Sequence, residues 1–260
     1  MTNKNPPMKR IPIITIVFLI AYSCTEKSTP VPVVEMPMGE LEMTNSFAID
    51  VPEPSGLSFG PGQNTLLTVS DETNQIYELD LLGNVIRVLD YTGSDLEGVT
   101  YNPDENLIAV VDERDREVAL IDYTSGVTTG VHKIVIPFGS DNSGLEGISY
   151  NSNNKYYYIL NEINPKLLVI WNPSSGIISE KDLNFAEDYS GVFVDTDHSL
   201  LWIVSDESKR LFKCDYNASV MLGLNLYDPK YEGVVVDDDQ IYLINDASSR
   251  LNIYKIINSK

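Results

Sequence analysis

Short apolar runs alternate with polar turns along most of the chain. Leu107–Val111 reads LIAVV, Tyr156–Leu160 YYYIL, Leu200–Val204 LLWIV and Ile241–Ile244 IYLI. Runs this short, rich in Val, Ile, Tyr and Leu and bounded by polar residues, read as strands rather than helices. A turn precedes each of them: NPDEN, NSNNK, DTDHS or DDDQ. A second polar turn follows, and then another apolar run: IYELD, VALID, LLVIW, LFKCD and LNIYKI.

The pattern repeats. Five units open on a glycine: Pro54-Ser55-Gly56, Leu96-Glu97-Gly98, Leu145-Glu146-Gly147, Tyr189-Ser190-Gly191 and Tyr231-Glu232-Gly233. The glycines are spaced 42, 49, 44 and 42 residues apart, the length of a four-stranded propeller blade. The last unit, Tyr231 to Ile257, has room for three strands only. The alternating segment Leu41–Val51 supplies the fourth and closes the ring, which removes the open edges of a linear array. The expected fold is all-β, a five-bladed β-propeller over residues 40–257 closed by an N-terminal strand. Six blades are the alternative, although no spare stretch is long enough for another unit.

Composition adds a partner exclusion and a compartment. The chain has 260 residues, 43% hydrophobic, and a formal net charge of −20. Positive charge is too sparse to track a phosphate backbone, so nucleic acid is excluded as a partner. Lys9 and Arg10 precede the apolar run Ile11–Tyr22, then Ser23 and Cys24. That run fits a signal-peptide core better than a membrane span. Residues 1–23 are therefore expected to be a signal peptide, with Met1 or Met8 as the start. Cys24 is expected to carry a lipid, residues 24–39 forming a Pro-rich tether. A secretory signal without lipid, or an uncleaved anchor, are the other readings. The expectation is a monomeric membrane-anchored lipoprotein of the cell envelope, facing the periplasm or the cell exterior. Cys214 then has no partner for a disulfide and reads as inert packing.

The first strand of a blade lines the central channel, and the second returns antiparallel to the same mouth. One mouth therefore gathers two rings of acids. The outer ring, Asp71, Asp112, Glu162, Asp206 and Asp246, is followed four residues on by Gln75, Arg116, Lys166, Arg210 and Arg250. Pairing across the turn, as Asp206 with Arg210 and Asp246 with Arg250, is the favoured reading there. The inner ring, Glu97, Glu146 and Glu232, has no basic residue in register. Converging carboxylates must be neutralised by protons or by a cation, and an all-oxygen set with flexible geometry suits Ca²⁺. The expected metal ligands are Glu97, Glu146 and Glu232, with Ser55, Ser190, Glu162 and Asp112 as weaker candidates. Zinc is disfavoured, since His132 and His198 lie in no ligand pattern. Against the metal stands the plainer reading that Glu-Gly forms a turn, glycine supplying backbone freedom.

The segments EPSGLSF, DLEGVTYNP, GLEGISYNSNNKYYYILNE and YEGVVVDDDQIYLINDASSRLNIYKI carry a resemblance to the SdiA-regulated family of bacterial propeller proteins, across nearly all of residues 40–257. The Asp-x-x-x-Arg-Leu pieces are similar to NHL-repeat propellers. The resemblance implies five blades and a calcium site, and supplies no substrate. Ser55 and Ser190 stand where an evenly acidic ring would have Glu. A shorter likeness, to gluconolactonase-type propellers, rests on Glu97, Glu146 and Glu232 preceding a Gly at the start of inner strands, and concerns fold and site only.

Two function classes follow. One is a calcium-binding module without catalysis that presents a ligand or envelope-protein surface, since no nucleophile motif is evident. The other is a metal-dependent hydrolase of lactones or phosphate esters, with Ca²⁺ polarising the substrate and Glu162 or Asp112 as base. No catalytic residue is assigned beyond these.

Overall fold

The computed structural model describes Met1, residues 36–136 and residues 144–259. The expected signal peptide, Cys24 and most of the tether lie outside the described residues.

The described chain is all-β. Strand β1 is Met38–Ala48. A first sheet holds β2 (Pro54–Phe59), β3 (Thr65–Ser70), β4 (Gln75–Asp80) and β5 (Val85–Thr92). A second holds β6 (Leu96–Asn102), β7 (Leu107–Asp112), β8 (Glu117–Asp122) and β9 (Thr128–Lys133). A third holds β10 (Leu145–Asn151), β11 (Tyr156–Asn161), β12 (Leu167–Asn172) and β13 (Gly176–Asp182). Next come β14 (Gly191–Asp195), β15 (Leu200–Ser205), β16 (Arg210–Asp215) and β17 (Val220–Asn225), then β18 (Tyr231–Asp237), β19 (Gln240–Asn245) and β20 (Arg250–Ser259). These last two groups are joined into one sheet by β1, in the order β14-β15-β16-β17-β1-β20-β19-β18. Within each group of four, consecutive strands pair antiparallel.

The N-terminal strand closes the last group. From Gly39 to Ala48, β1 runs antiparallel along β20, while it meets β17 in parallel only at Met38 and Gly39. The first and last described strands thus share one sheet and leave no open edge between chain ends.

Continuous apolar runs in second strands have a simple cause: both faces are covered. Ala109 and Val111 of β7 pack with Tyr157, Ile159 and Trp171 of the third sheet. Ile108 and Val110, on the other face, pack with Leu67, Val69 and Ile76 of the first. Tyr158 and Leu160 meet Ile203 and Phe212; Trp202 and Val204 meet Leu243 and Tyr254; and Tyr242 and Ile244 meet Leu66 and Leu79. Each sheet is therefore sandwiched between two neighbours, and the last core returns to the first sheet. Each buried Val, Leu or Ile stabilises this arrangement by about 1.5–3 kcal/mol before entropy is counted. The outer strands β5, β9 and β13 have one covered neighbour at most and are largely exposed.

Glycines set how closely the inner strands approach. A Cβ on Gly98 would stand 2.2 Å from the Glu146 carbonyl oxygen, and one on Gly147 would stand 2.7 Å from Val192 N. On Gly191 it would meet Glu232 O at 2.8 Å, on Gly233 Leu57 N at 2.5 Å, and on Gly56 the Gly98 Cα at 2.8 Å. Each glycine thus faces the backbone of the next inner strand, and the sequence of contacts runs β2, β6, β10, β14, β18 and back to β2. The turn reading of these glycines is corrected: only Gly56 has positive φ, +60°, and the rest are required by close approach.

Candidate acidic site

At one end of the inner strands the chain encloses a cavity of about 440 Å³. The residues one before each axial glycine line this end, joined by Glu53, Asp188 and Lys230 from three before it and by Asp71, Glu162, Asp206 and Asp246 from just after second strands. The innermost set is Ser55, Glu97, Glu146, Ser190 and Glu232, and all five line the cavity. A β-bulge places the glutamates. The ladders lose register between Leu96 and Gly98, between Leu145 and Ile148, and between Tyr231 and Gly233. Each Glu is thereby taken out of strict alternation and aimed toward the axis.

The two serines use their protons on the neighbouring backbone. Ser55 Oγ donates to Glu97 O at 2.7 Å and Ser190 Oγ to Tyr231 O at 3.0 Å. Their lone pairs remain available as weak ligands.

The acids beyond the second strands divide into two positions. The final strand residue serves the turn. Ser70 Oγ accepts from Thr73 N, Asn161 Nδ2 donates to Ile163 O, and Asn245 Oδ1 accepts from Ser248 N. The next residue, Asp71, Glu162, Asp206 or Asp246, lines the cavity. In the second sheet this register makes Glu113 the mouth residue. Asp112 is the strand-final residue, paired with Leu96, and its carboxylate accepts Ser94 N and Oγ at 2.7–2.9 Å. The placement of Asp112 among the ligands is thus corrected by one residue, which in a strand reverses the face presented.

The turn-spanning ion pairs are also corrected. Asp206 pairs with Lys230 Nζ at 2.8 Å, a residue 24 positions on in the chain, rather than with Arg210. Arg250 is committed to β1, donating through Nε to Ser46 Oγ at 2.7 Å and through Nη2 to Ser46 O at 3.0 Å, rather than to Asp246. Lys230 also stands 3.8 Å from Glu232, so the inner ring does have a basic neighbour. It is the one cation among the described residues that line the cavity. Sequence reasoning missed it, together with Glu53, Asp95 and Asp188. The signal was present: these four residues, with Gly144, hold the same place three residues before each axial glycine.

Charge at this mouth is undercompensated. Burial, then the Asp71 charge, pushes Glu97 well above the usual carboxylate range. Burial, then Glu97, does the same to Glu146. Glu162 is pushed up to about 7 by burial and Asp188. Glu232 also rises to about 7 through burial, although Lys230 draws it back. Glu113, Asp95 and Asp246 rise too, each first through burial. Lys230 is pushed up, chiefly by its hydrogen bond to Asp206. Two carboxylate triads bring an oxygen each to within 4.8 Å of one another: Asp71, Asp95 and Glu97, and Glu113, Glu146 and Glu162. An all-carboxylate donor set fits a hard cation and suits neither a soft metal nor an organic cofactor.

The remaining candidates lie elsewhere. His198 Nδ1 is 3.0 Å from Asp195, and His132 packs edge-on to Trp171 at 5.3 Å. Cys214 is fully buried, and burial raises its thiol to about 12, which makes it inert packing as its sequence setting implied. Lys166 Nζ donates to Ala186 O at 3.0 Å, and Arg116 Nη1 to Asn161 Oδ1 at 3.5 Å.

Sheets arranged around an axis with an acidic mouth define a protein of the β-propeller class. The family described as SdiA-regulated matches residues 43–249, and the chain belongs to it. Among solved structures it is similar to Myxococcus xanthus glutaminyl cyclase, with a TM-score of 0.65, 10% identity, and coverage of 86% of this chain and 100% of that one. It is also similar to Staphylococcus aureus virginiamycin B lyase. A catalytically inactive form with quinupristin gives a TM-score of 0.51 at 18% identity, covering 78% of this chain and 66% of that one. The selenomethionine form of the lyase gives 0.50 at 17% identity, with the same coverage. At such identities these likenesses speak to fold alone.

Proposed function

We propose that the protein is a five-bladed, calcium-binding propeller of the cell envelope whose acidic mouth presents a ligand- or protein-binding surface. The blade number is supported by the closed succession of five inner strands and five intervening cores. Calcium is supported above all by one observation: Glu97, Glu146, Glu162 and Glu232 converge on a single cavity that holds one lysine. A cation there relieves mutual repulsion that burial intensifies. Glu97, Glu146 and Glu232 would supply carboxylate oxygens, with Glu162, Ser55 and Ser190 next to them. Lipid on Cys24 would anchor the protein to a membrane, and the tether after it would hold the domain away from that surface.

Calorimetric titration of metal-stripped protein tests this reading. Ca²⁺ should bind, and binding should vanish in the triple variant Glu97→Gln, Glu146→Gln, Glu232→Gln. Absence of binding to the unaltered protein would refute it.

A hydrolase is the second reading, favoured by Glu162. Its carboxyl, raised to about 7 in the cavity wall, is poised as a general base near neutrality. A phosphate ester is the weaker substrate class, because Lys166 and Arg250 are spent on protein oxygens. Turnover of a lactone panel with Ca²⁺, lost in Glu162→Gln, would support catalysis, and no turnover would end it.

A further inference from the structure

The far ends of the inner strands enclose a second cavity, of about 400 Å³, a size within the roughly 300–1,000 Å³ of small-molecule sites. Neighbouring inner strands stand with axial glycine beside axial glycine, so this cavity lies at the mouth opposite the acidic one. Its walls come from the ends of β2, β6, β10 and β14 and the turns that follow them. The chain has a net charge of −20, yet none of the described residues lining this cavity is charged at neutral pH. An ionic ligand would lose water there and gain no counter-charge.

Two residues after the axial glycine, the first three inner strands carry a hydroxyl: Ser58, Thr100 and Ser149. Each oxygen accepts an N–H of the next inner strand. Tyr101 N donates to Ser58 Oγ at 3.1 Å, Tyr150 N to Thr100 Oγ1 at 3.0 Å and Val194 N to Ser149 Oγ at 2.9 Å. That stapling uses the oxygens and leaves the protons. Ser58 Oγ gives its own to Phe59 O at 3.1 Å. The Thr100 and Ser149 protons meet no acceptor among the described residues, although the two residues are only 3% and 6% exposed. A buried donor in that state is costly unless something accepts from it. Both residues line the cavity, so both can donate to an oxygen of a molecule held in it.

Aromatic rings supply the other part of the lining: Phe59, Tyr101, Tyr150 and Phe193. Phe59 and Phe193 meet edge to face, with centroids 6.0 Å apart. The phenols are committed elsewhere, Tyr101 OH donating to Asn106 Oδ1 at 3.0 Å and Tyr150 OH to Asp104 Oδ2 at 2.8 Å. What these tyrosines offer the cavity is ring. Aromatic faces are electron-rich and attract the C–H groups of an apolar face. Rings beside hydroxyl donors, without charge, match a molecule that has a C–H face and an edge of neutral oxygens.

We propose that this mouth binds a small uncharged saccharide, its C–H face against the aromatic rings and its oxygens accepting from Thr100 and Ser149. The site is separate from the acidic mouth and needs no cation.

Amide-resolved NMR titration of the full chain in EDTA tests it, with glucose, galactose, N-acetylglucosamine and cellobiose as neutral probes and with glucuronate and indole as contrasts. At least one neutral sugar should shift the amides of Tyr101, Tyr150 and Val194. Thr100→Val should weaken that binding at least about tenfold, the equivalent of one hydrogen bond to a buried donor. Should Thr100→Val fail to fold, Ser152→Trp decides the matter. Ser152 lines the cavity from the turn after β10, so the indole ring would fill the site while the strand staples stay, and sugar binding should be lost. The proposal is overturned if no neutral sugar moves these amides, if glucuronate or indole binds more tightly than every neutral sugar, or if Ser152→Trp binds sugar as the unaltered protein does.

Discussion

The Lys230 ammonium stands 2.8 Å from the Asp206 carboxylate, joining the loop before β18 to the end of β15. Its charge also draws Glu232 back from the rise that burial imposes. Lys230→Gln should therefore move the Glu232 carboxyl above about 7, read by carboxyl-resolved NMR titration. Because half of the Lys230 side chain is exposed, the stability loss should be only about 1 kcal/mol. An unmoved Glu232 would show that the lysine does not govern the mouth.

Metal-free protein should become less stable as pH rises from about 4.5 to about 7. Glu162 and Glu232 titrate near 7 when folded and near the ordinary 4.5 when unfolded. Across that window the folded state holds the extra protons, so stability is full below it and lost as pH climbs through it. Glu78, Asp80, Asp104, Asp122 and Asp215 are lowered instead and favour the folded state less as pH falls below their ordinary range. Thermal melts without metal should peak near pH 5. Saturating Ca²⁺ should raise the pH 8 melting temperature by about 5–10 °C, the equivalent of some 2.7 kcal/mol at a hundredfold excess over Kd. A melting temperature that rises from pH 5 to pH 8 without metal would contradict this.

Gly98→Ala should be among the most damaging small substitutions in the chain. Its methyl would lie 2.2 Å from the Glu146 carbonyl, part of a neighbouring backbone that cannot yield. The expected loss is about 3 kcal/mol, measured by urea unfolding. Gly176→Ala is the contrast: nothing lies within 4 Å there, and only the φ of +75° is strained, at a cost of about 1 kcal/mol. Equal losses at both sites would undo the packing argument.

Glu78 joins the first and second sheets. It accepts from Thr65 Oγ1, Tyr123 OH and Arg87 Nε, each at 2.7 Å, while Arg87 Nη2 donates to Tyr123 O at 2.9 Å. Glu78→Gln removes the charge but keeps the shape, and should cost about 2 kcal/mol, less than a wholly buried pair because Arg87 is partly exposed. Urea unfolding at pH 7 checks the size. The difference should shrink as pH falls below the ordinary carboxylate range, where the unaltered Glu78 itself becomes protonated.

The repeat was legible because the physics that builds it is local and periodic. Apolar second and third strands sandwiched between sheets read as continuous runs, and the axial glycines read as a spacing. The closing strand was legible in the alternation of Leu41–Val51, observed as β1 from Met38 to Ala48. Outer strands such as Gly176–Asp182 were faint because they are exposed and carry no apolar face. At the site, the glutamates before glycine were found because they share the repeat. Lys230 was missed because its partner Asp206 lies on a different repeat, and local spacing says nothing of that. The exchange of Asp112 for Glu113 came from counting acids along the sequence where the strand register alone decides which residue faces the mouth.

The most direct test of a hard cation in the acidic mouth is a crystal structure grown with Ca²⁺, with anomalous data collected. An anomalous peak among Glu97, Glu113, Glu146, Glu162 and Glu232, with carboxylate oxygens at about 2.3–2.6 Å, is the expected result. A mouth that holds only water at saturating Ca²⁺ would contradict the account.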